Sequence, residues 1–333
     1  MTGALAHLPD FGRLLATPLP GDAPAHWLIL AGIALLLDAL LGSRTLLGRL
    51  PGPDRILLRL GQWLVPRLDR ERRSRFARAM RGALVVMAFT PILVVIGRGV
   101  DLIALDGGLG TLITVLLLAR LMEQRALVDL ISAMPDRLGR IRPGADGNGR
   151  FGASRFALER LAVRFADGLV TVLVLLMLGG MALVLVHRFL TMLVEAGAPK
   201  GMTPPASPFY LVPLALQQAL ALPGAALAAL LMALAALLVP GARAGQAWRG
   251  LSPFGAGLPA RLIPAATLAF ALGLNLHSDP DNRPGGRWLG PPDGRARPAP
   301  LDMSRALYLI LVAGLLILLA LVGVLLHLLG GTP

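Results

Sequence analysis

Four charged side chains stand in "ALERLAVRFADGLV" (157–170), at the head of a long apolar run: Glu159, Arg160, Arg164 and Asp167. On a single helix Glu159 and Asp167 fall on one slanting stripe, roughly 12 Å apart along the axis, with Val163 between them. Arg160 and Arg164 form a second stripe beside the first. Two kinds of chemistry suit the pattern. One is an ion-paired helix entrance at the level of lipid headgroups, where an exposed pair contributes under about 1 kcal/mol. The other is a phosphate site in which Glu159 and Asp167 hold a divalent metal and the guanidiniums neutralise phosphate charge. Asp38 raises a similar question. It lies inside the first apolar run, where an ionised acid costs about 2.5 kcal/mol or more at mid-bilayer, although a hydrated place near the end of that run would cost less.

Other chemistries find little to work with. Cysteine is absent, which removes disulfides, thiolate metal sites and cysteine nucleophiles. No G-x-x-x-x-G-K-[ST] occurs, and "GNGRFG" (147–152) does not follow a strand pattern, so its glycines read as a turn. The histidines, His7, His26, His187, His277 and His327, are scattered without H-x-x-x-H spacing. No G-x-S-x-G elbow supports a serine nucleophile. The basic loops carry few aromatics to stack on bases, so nucleic acid is not an expected partner.

The elements that position the charged groups are membrane helices. With 55% hydrophobic residues, 15% charged residues and a mean hydropathy of +0.69 over 333 residues, the chain is too apolar for a soluble domain. Its first apolar run lacks the basic start and small-residue cleavage site of a secretory signal, so it is expected to be retained. Stretches of spanning length are 27–47, 83–105, 108–122 (short), 168–194, 211–239 and 306–329. The segment 262–276, with its internal proline, suits a re-entrant or interfacial helix better. Arginine supplies nearly all of the +13 net charge, Lys200 being the only lysine, and gathers in 49–82, 121–166 and 241–305. These loops are therefore expected on the cytoplasmic side, with 195–210 opposite and both termini outside. The expectation is one all-α, polytopic domain over 1–333, with about six transmembrane helices in the cytoplasmic (inner) membrane. Loop 278–300 is too rich in Pro and Gly for long helices or strands. It is expected to fold against the helix ends.

Several motifs resemble one family in content and order. "LLLDALLG" (35–42), "RGALVV" (81–86), "ALERLAVRFADG" (157–168), "SPFGAGLP" (252–259) and "AFALGLNLHSDPDNRPGGRWLGPPDG" (269–294), followed by "LDMSRALYL" (301–309), resemble the cobalamin-biosynthesis membrane proteins called CobD/CbiB. The resemblance implies a cytoplasmic-membrane ligase that joins cobyric acid to aminopropanol or its phosphate, giving cobinamide or cobinamide phosphate. It also implies ATP and Mg²⁺, used to turn a propionate into an acyl phosphate that the amine then attacks. Glu159 and Asp167 match the family's E-S-x-A-E-N-x-x-D-G and are implied as catalytic and metal-site acids. Arg142 in "RIRPG", Arg164, and Arg188 in "HRFLTMLV" are implied anion contacts, with Asp38 and Ser252 as further candidates. The departures are Val163 and Arg164 at the second acid and the Asn, loss of the Asn-Thr and Asp after Arg188, and Phe254 in place of the Asn of S-P-N. Loss of polar groups on a kept scaffold also resembles AmpE-type membrane proteins linked to β-lactamase regulation. A catalytically silent membrane partner or sensor is therefore the second expectation.

Overall fold

A computed structural model of the chain describes residues 23–41, 52–70, 72–105, 108–122, 147–197, 207–251, 258–277 and 288–330. Nearly all of them are helical. In order they form α1 (Ala23–Leu41), α2 (Pro53–Leu68), α3 (Arg75–Leu105), α4 (Leu109–Met122) and α5 (Gly147–Phe165). A π-helical turn, Ala166–Val170, joins α5 to α6 (Thr171–Gly197). There follow α7 (Leu211–Leu238), the short α8 (Ala244–Arg249), α9 (Ile263–Leu272) and α10 (Pro300–Gly330). A two-stranded antiparallel ribbon, β1 (Leu276–His277) and β2 (Trp288–Leu289), lies between α9 and α10.

Four helical stretches are long and apolar enough to cross a membrane: Arg75–Leu105, Phe151–Gly197, Pro208–Leu238 and Pro300–Val324. Their surfaces divide the labour. The apolar windows of α3 and α10 are only 17% and 22% buried, whereas that of Phe151–Gly197 is 72% buried, so the last is the centre and the first two flank it. Along α3 the exposed side chains Phe76, Met80, Leu84 and Met87 recur at helical spacing and form one apolar face. A row of this kind on a membrane protein meets lipid.

The stretch expected as a single span at 168–194 is instead a helical hairpin. Gly179 and Gly180 leave helical geometry (φ −158°, ψ 20° and φ 68°, ψ −161°). At Gly180 the positive φ is open to glycine and strained for other residues. The charges beyond the turn show where the chain goes. One guanidinium nitrogen of Arg261 lies 3.8 Å from Asp167 Oδ2 and 3.9 Å from Glu195 Oε1. These acids are 28 positions apart, which on a straight helix would separate them by about 42 Å. The two arms therefore run side by side. The second arm packs against α3, where Phe89 and Phe189 stack at 5.2 Å and a Cβ on Gly97 would collide with the Ala182 backbone.

The hairpin also corrects the topology. Residues 195–210 were expected opposite the Arg-rich loop 49–82, yet Ser207 Oγ accepts a hydrogen bond from Arg78 Nη2 at 2.8 Å. A hairpin returns to the side it left, so the charge-poor 195–210 need not lie across the membrane from the basic loops. The segment 262–276 lacks the length to span. Its helix α9 has ten residues, nearly all buried, and stops at Gly273 in the left-handed conformation (φ 62°).

Candidate functional site

The hairpin base, the start of α2, the end of α4 and the 3₁₀ turn Ala260–Leu262 enclose a polar cleft of about 50 Å³. Asp54, Arg164, Asp167, Arg188, Glu195 and Arg261 line it. Each arrives for a local reason. Pro53 fixes the first turn of α2, and Asp54 follows it at the favourable negative position beside the helix N-terminus. Asp167 sits in the π turn, which breaks the 3.6-residue register immediately after Phe165. Val163, one turn before Asp167, lines the same cleft. Gly168 faces α4 and Arg188, where a Cβ would make ordinary contact, 3.4 Å from the Met122 carbonyl oxygen and 4.0 Å from Arg188 Nη2.

Three carboxylates face three guanidiniums, so the cleft is formally neutral. Arg188 Nη1 lies 3.5 Å from Asp54 Oδ2, and Arg188 Nη2 donates to the Leu121 carbonyl. Arg261 bridges Asp167 and Glu195. Most of these groups are dry, the side chains of Arg188, Arg261 and Asp167 being only 5–6% exposed, while Glu195 at 33% marks the open side. The separations of 3.5–3.9 Å exceed the roughly 2.7–2.9 Å of a charge-assisted hydrogen bond. Correspondingly, Arg188 Nε, Arg261 Nε and both Asp167 oxygens are buried without a hydrogen-bond partner among the described residues. Buried donors in that state favour an incoming oxyanion or water.

Of the residues singled out from sequence, Asp167, Arg164 and Arg188 meet in this cleft. Glu159 does not line it. That carboxylate is fully buried about two turns up α5, so neither acid is part of a solvated helix entrance. Asp167 takes Arg261 as its ion-pair partner instead of the neighbouring Arg164. The expected metal pair, Glu159 and Asp167, does not meet in this cleft. Among the described residues no group of three or more His, Cys, Asp and Glu is arranged to hold a metal, and the cleft acids already face arginines. These residues do not fit a resident Mg²⁺. Arg142 and Ser252 lie outside the described residues, as does the Asp38 side chain, although Asp38 belongs to α1.

Sequence reasoning missed Asp54, Glu195 and Arg261. Arg261 carried a signal, because an arginine opening an apolar segment must find an acid or water. It also missed Asp101, which is 2% exposed and accepts a hydrogen bond from the Met181 N–H at 2.8 Å, capping the second arm at the hairpin tip. Arg98 lies 3.8 Å from the same carboxylate.

The C-terminal motifs have structural roles. Arg155 donates to the Ala296 carbonyl at 2.7 Å and lies over the Trp288 ring, so the described part of the loop folds against the middle of α5. Asp302 caps the first turn of α10 through the Ala299 N–H at 2.8 Å and pairs with Arg295 at 3.1 Å. The chain matches no family model, no curated protein and no solved structure, so a reading of its function rests on this cleft and on the motifs quoted above.

Proposed function

We propose that this membrane protein is of the CobD/CbiB type, resides in the cytoplasmic membrane and acts in cobalamin biosynthesis, with the cleft as its anion-binding site. The observation that carries the reading is the convergence of Arg188 and Arg261, with unused buried donors, beside the Asp167 that matches the family motif. Two guanidiniums so placed suit a corrinoid propionate, because planar donors recognise carboxylate oxygens in pairs. Such a ligand would compete with Asp54 and Glu195 for the arginines.

In the reaction the resemblance implies, a propionate of cobyric acid attacks the γ-phosphorus of ATP to give an acyl phosphate and ADP. The amine of aminopropanol, or of its phosphate, then attacks the acyl carbon and releases phosphate. The part read here for Arg188 and Arg261 is to hold and orient the carboxylate in a dry site. ATP would arrive as its magnesium complex, as a substrate.

One observation favours a second reading, a catalytically silent partner or sensor on the same scaffold. Val163 lines the cleft where the family motif has its second acid. The test is binding of cobyric acid, with and without magnesium ATP, to the purified full chain in detergent. The expected result is binding that weakens about 10-fold or more in Arg188→Gln, since one hydrogen bond to a charged group is worth about 1.5–3 kcal/mol. Absence of corrinoid binding by wild type would remove the ligase reading and leave the silent partner.

A further inference from the structure

A second and much larger cavity, about 1030 Å³, opens between the end of α2, the start of α3 and the start of α7. It is separate from the charged cleft in both lining and character. Val65, Phe76, Ala79, Pro208, Leu211 and Leu214 give it apolar walls. Its polar end holds Asp69, Arg78 and Ser207, already bound to one another: Arg78 Nε donates to Asp69 at 2.6 Å and Arg78 Nη2 to Ser207 at 2.8 Å. Two lining groups remain unused. Arg75 is exposed and has no ion pair among the described residues. Tyr210 is 2% exposed, and its Oη is buried without a hydrogen-bond partner among those residues.

Its surroundings are basic and interfacial. Between positions 67 and 78 the sequence has six arginines (67, 70, 72, 73, 75, 78) against Asp69 and Glu71, a local excess of four positive charges. Trp63 on the exposed face of α2 is 54% exposed, with the Arg67 guanidinium 4.3 Å above its ring, an arrangement common where membrane meets water. From Phe76 at the mouth, the exposed row Met80, Leu84 and Met87 continues down α3.

We propose that this cavity is a binding site for one anionic phospholipid. Arg75 meets the phosphate, Tyr210 Oη donates to a phosphate or ester oxygen, and an acyl chain leaves along the α3 row. The apolar walls and the size of the cavity argue for a lipid over free phosphate, and the excess of arginine argues for an anionic one.

The test uses the full chain in nanodiscs of phosphatidylcholine and phosphatidylglycerol in equal parts, with native mass spectrometry counting the lipids that stay bound after release. Wild type should retain phosphatidylglycerol in preference to phosphatidylcholine. Arg75→Gln should reduce that preference about fivefold, the scale of one arginine at a charged membrane surface. Ala79→Trp, which fills the cavity without changing charge, should lower retention of both lipids. Glycerol phosphate in excess should displace neither. Equal retention of the two lipids by wild type would overturn the proposal, as would retention indifferent to Arg75→Gln. Displacement by glycerol phosphate would overturn it in favour of a soluble phosphate ligand. If Ala79→Trp does not fold, Arg75→Gln decides alone.

Discussion

Gly180→Ala should destabilise the protein by about 3–5 kcal/mol, read as a lower unfolding temperature in detergent. Two costs add. Gly180 lies in a region of backbone space essentially reserved for glycine, where another residue costs about 1–3 kcal/mol. In addition a Cβ there would lie 2.5 Å from Asp101 Oδ2, pushing away the carboxylate that accepts the Met181 N–H. A hydrogen bond to a charged group is worth about 1.5–3 kcal/mol. Gly179→Ala is the control. Its φ is negative, outside the left-handed region, and the added Cβ meets the Leu183 side chain and no backbone or charged group. It should cost less, since the positive φ and the loss of the Asp101 cap are both absent there. Equal melting of Gly180→Ala and wild type would mean that the chain does not turn at this residue.

Arg261→Met should be comparably damaging, at about 3–5 kcal/mol, because removing one partner leaves a buried charge uncompensated. Arg261 is only 5% exposed on its side chain and serves Asp167, itself dry, together with Glu195. The rescue distinguishes this cause from lost packing. Arg261→Met combined with Asp167→Leu should recover most of the loss, since exchanging a buried pair for apolar groups of similar volume is often neutral. Arg67→Met, whose guanidinium rests on an exposed tryptophan, should change stability by under about 1 kcal/mol. If the double variant is no more stable than Arg261→Met, the pair is not what holds the hairpin base.

The helical membrane character and most helix positions are legible in composition and apolar run length. The runs 83–105, 108–122, 211–239 and 306–329 all fall on observed helices. Gly179 and Gly180 were visible too, but a glycine pair in an apolar run reads as close packing unless the turn is known. Distinguishing a span from a hairpin requires contacts between residues far apart in sequence, and periodicity does not contain them. Asp167 and Arg188 could be found because they sit within quoted motifs. Arg261 and Asp101 could have been found from cost alone, as ionisable groups within or opening apolar segments. The π turn at Asp167 could not. It adds no residue type of its own and only shifts register.

The functional reading depends on the hairpin bringing residues 164–168 and 188–195 into one cleft. The most direct measurement is a spin-label distance between cysteines placed at Arg164 and Glu195, which are the only thiols in the chain once introduced. Both positions line the cleft, so a short distance with a narrow distribution is expected. A distribution centred near 46 Å, the separation of these positions along about 31 residues of unbroken helix, would contradict the hairpin and with it the site.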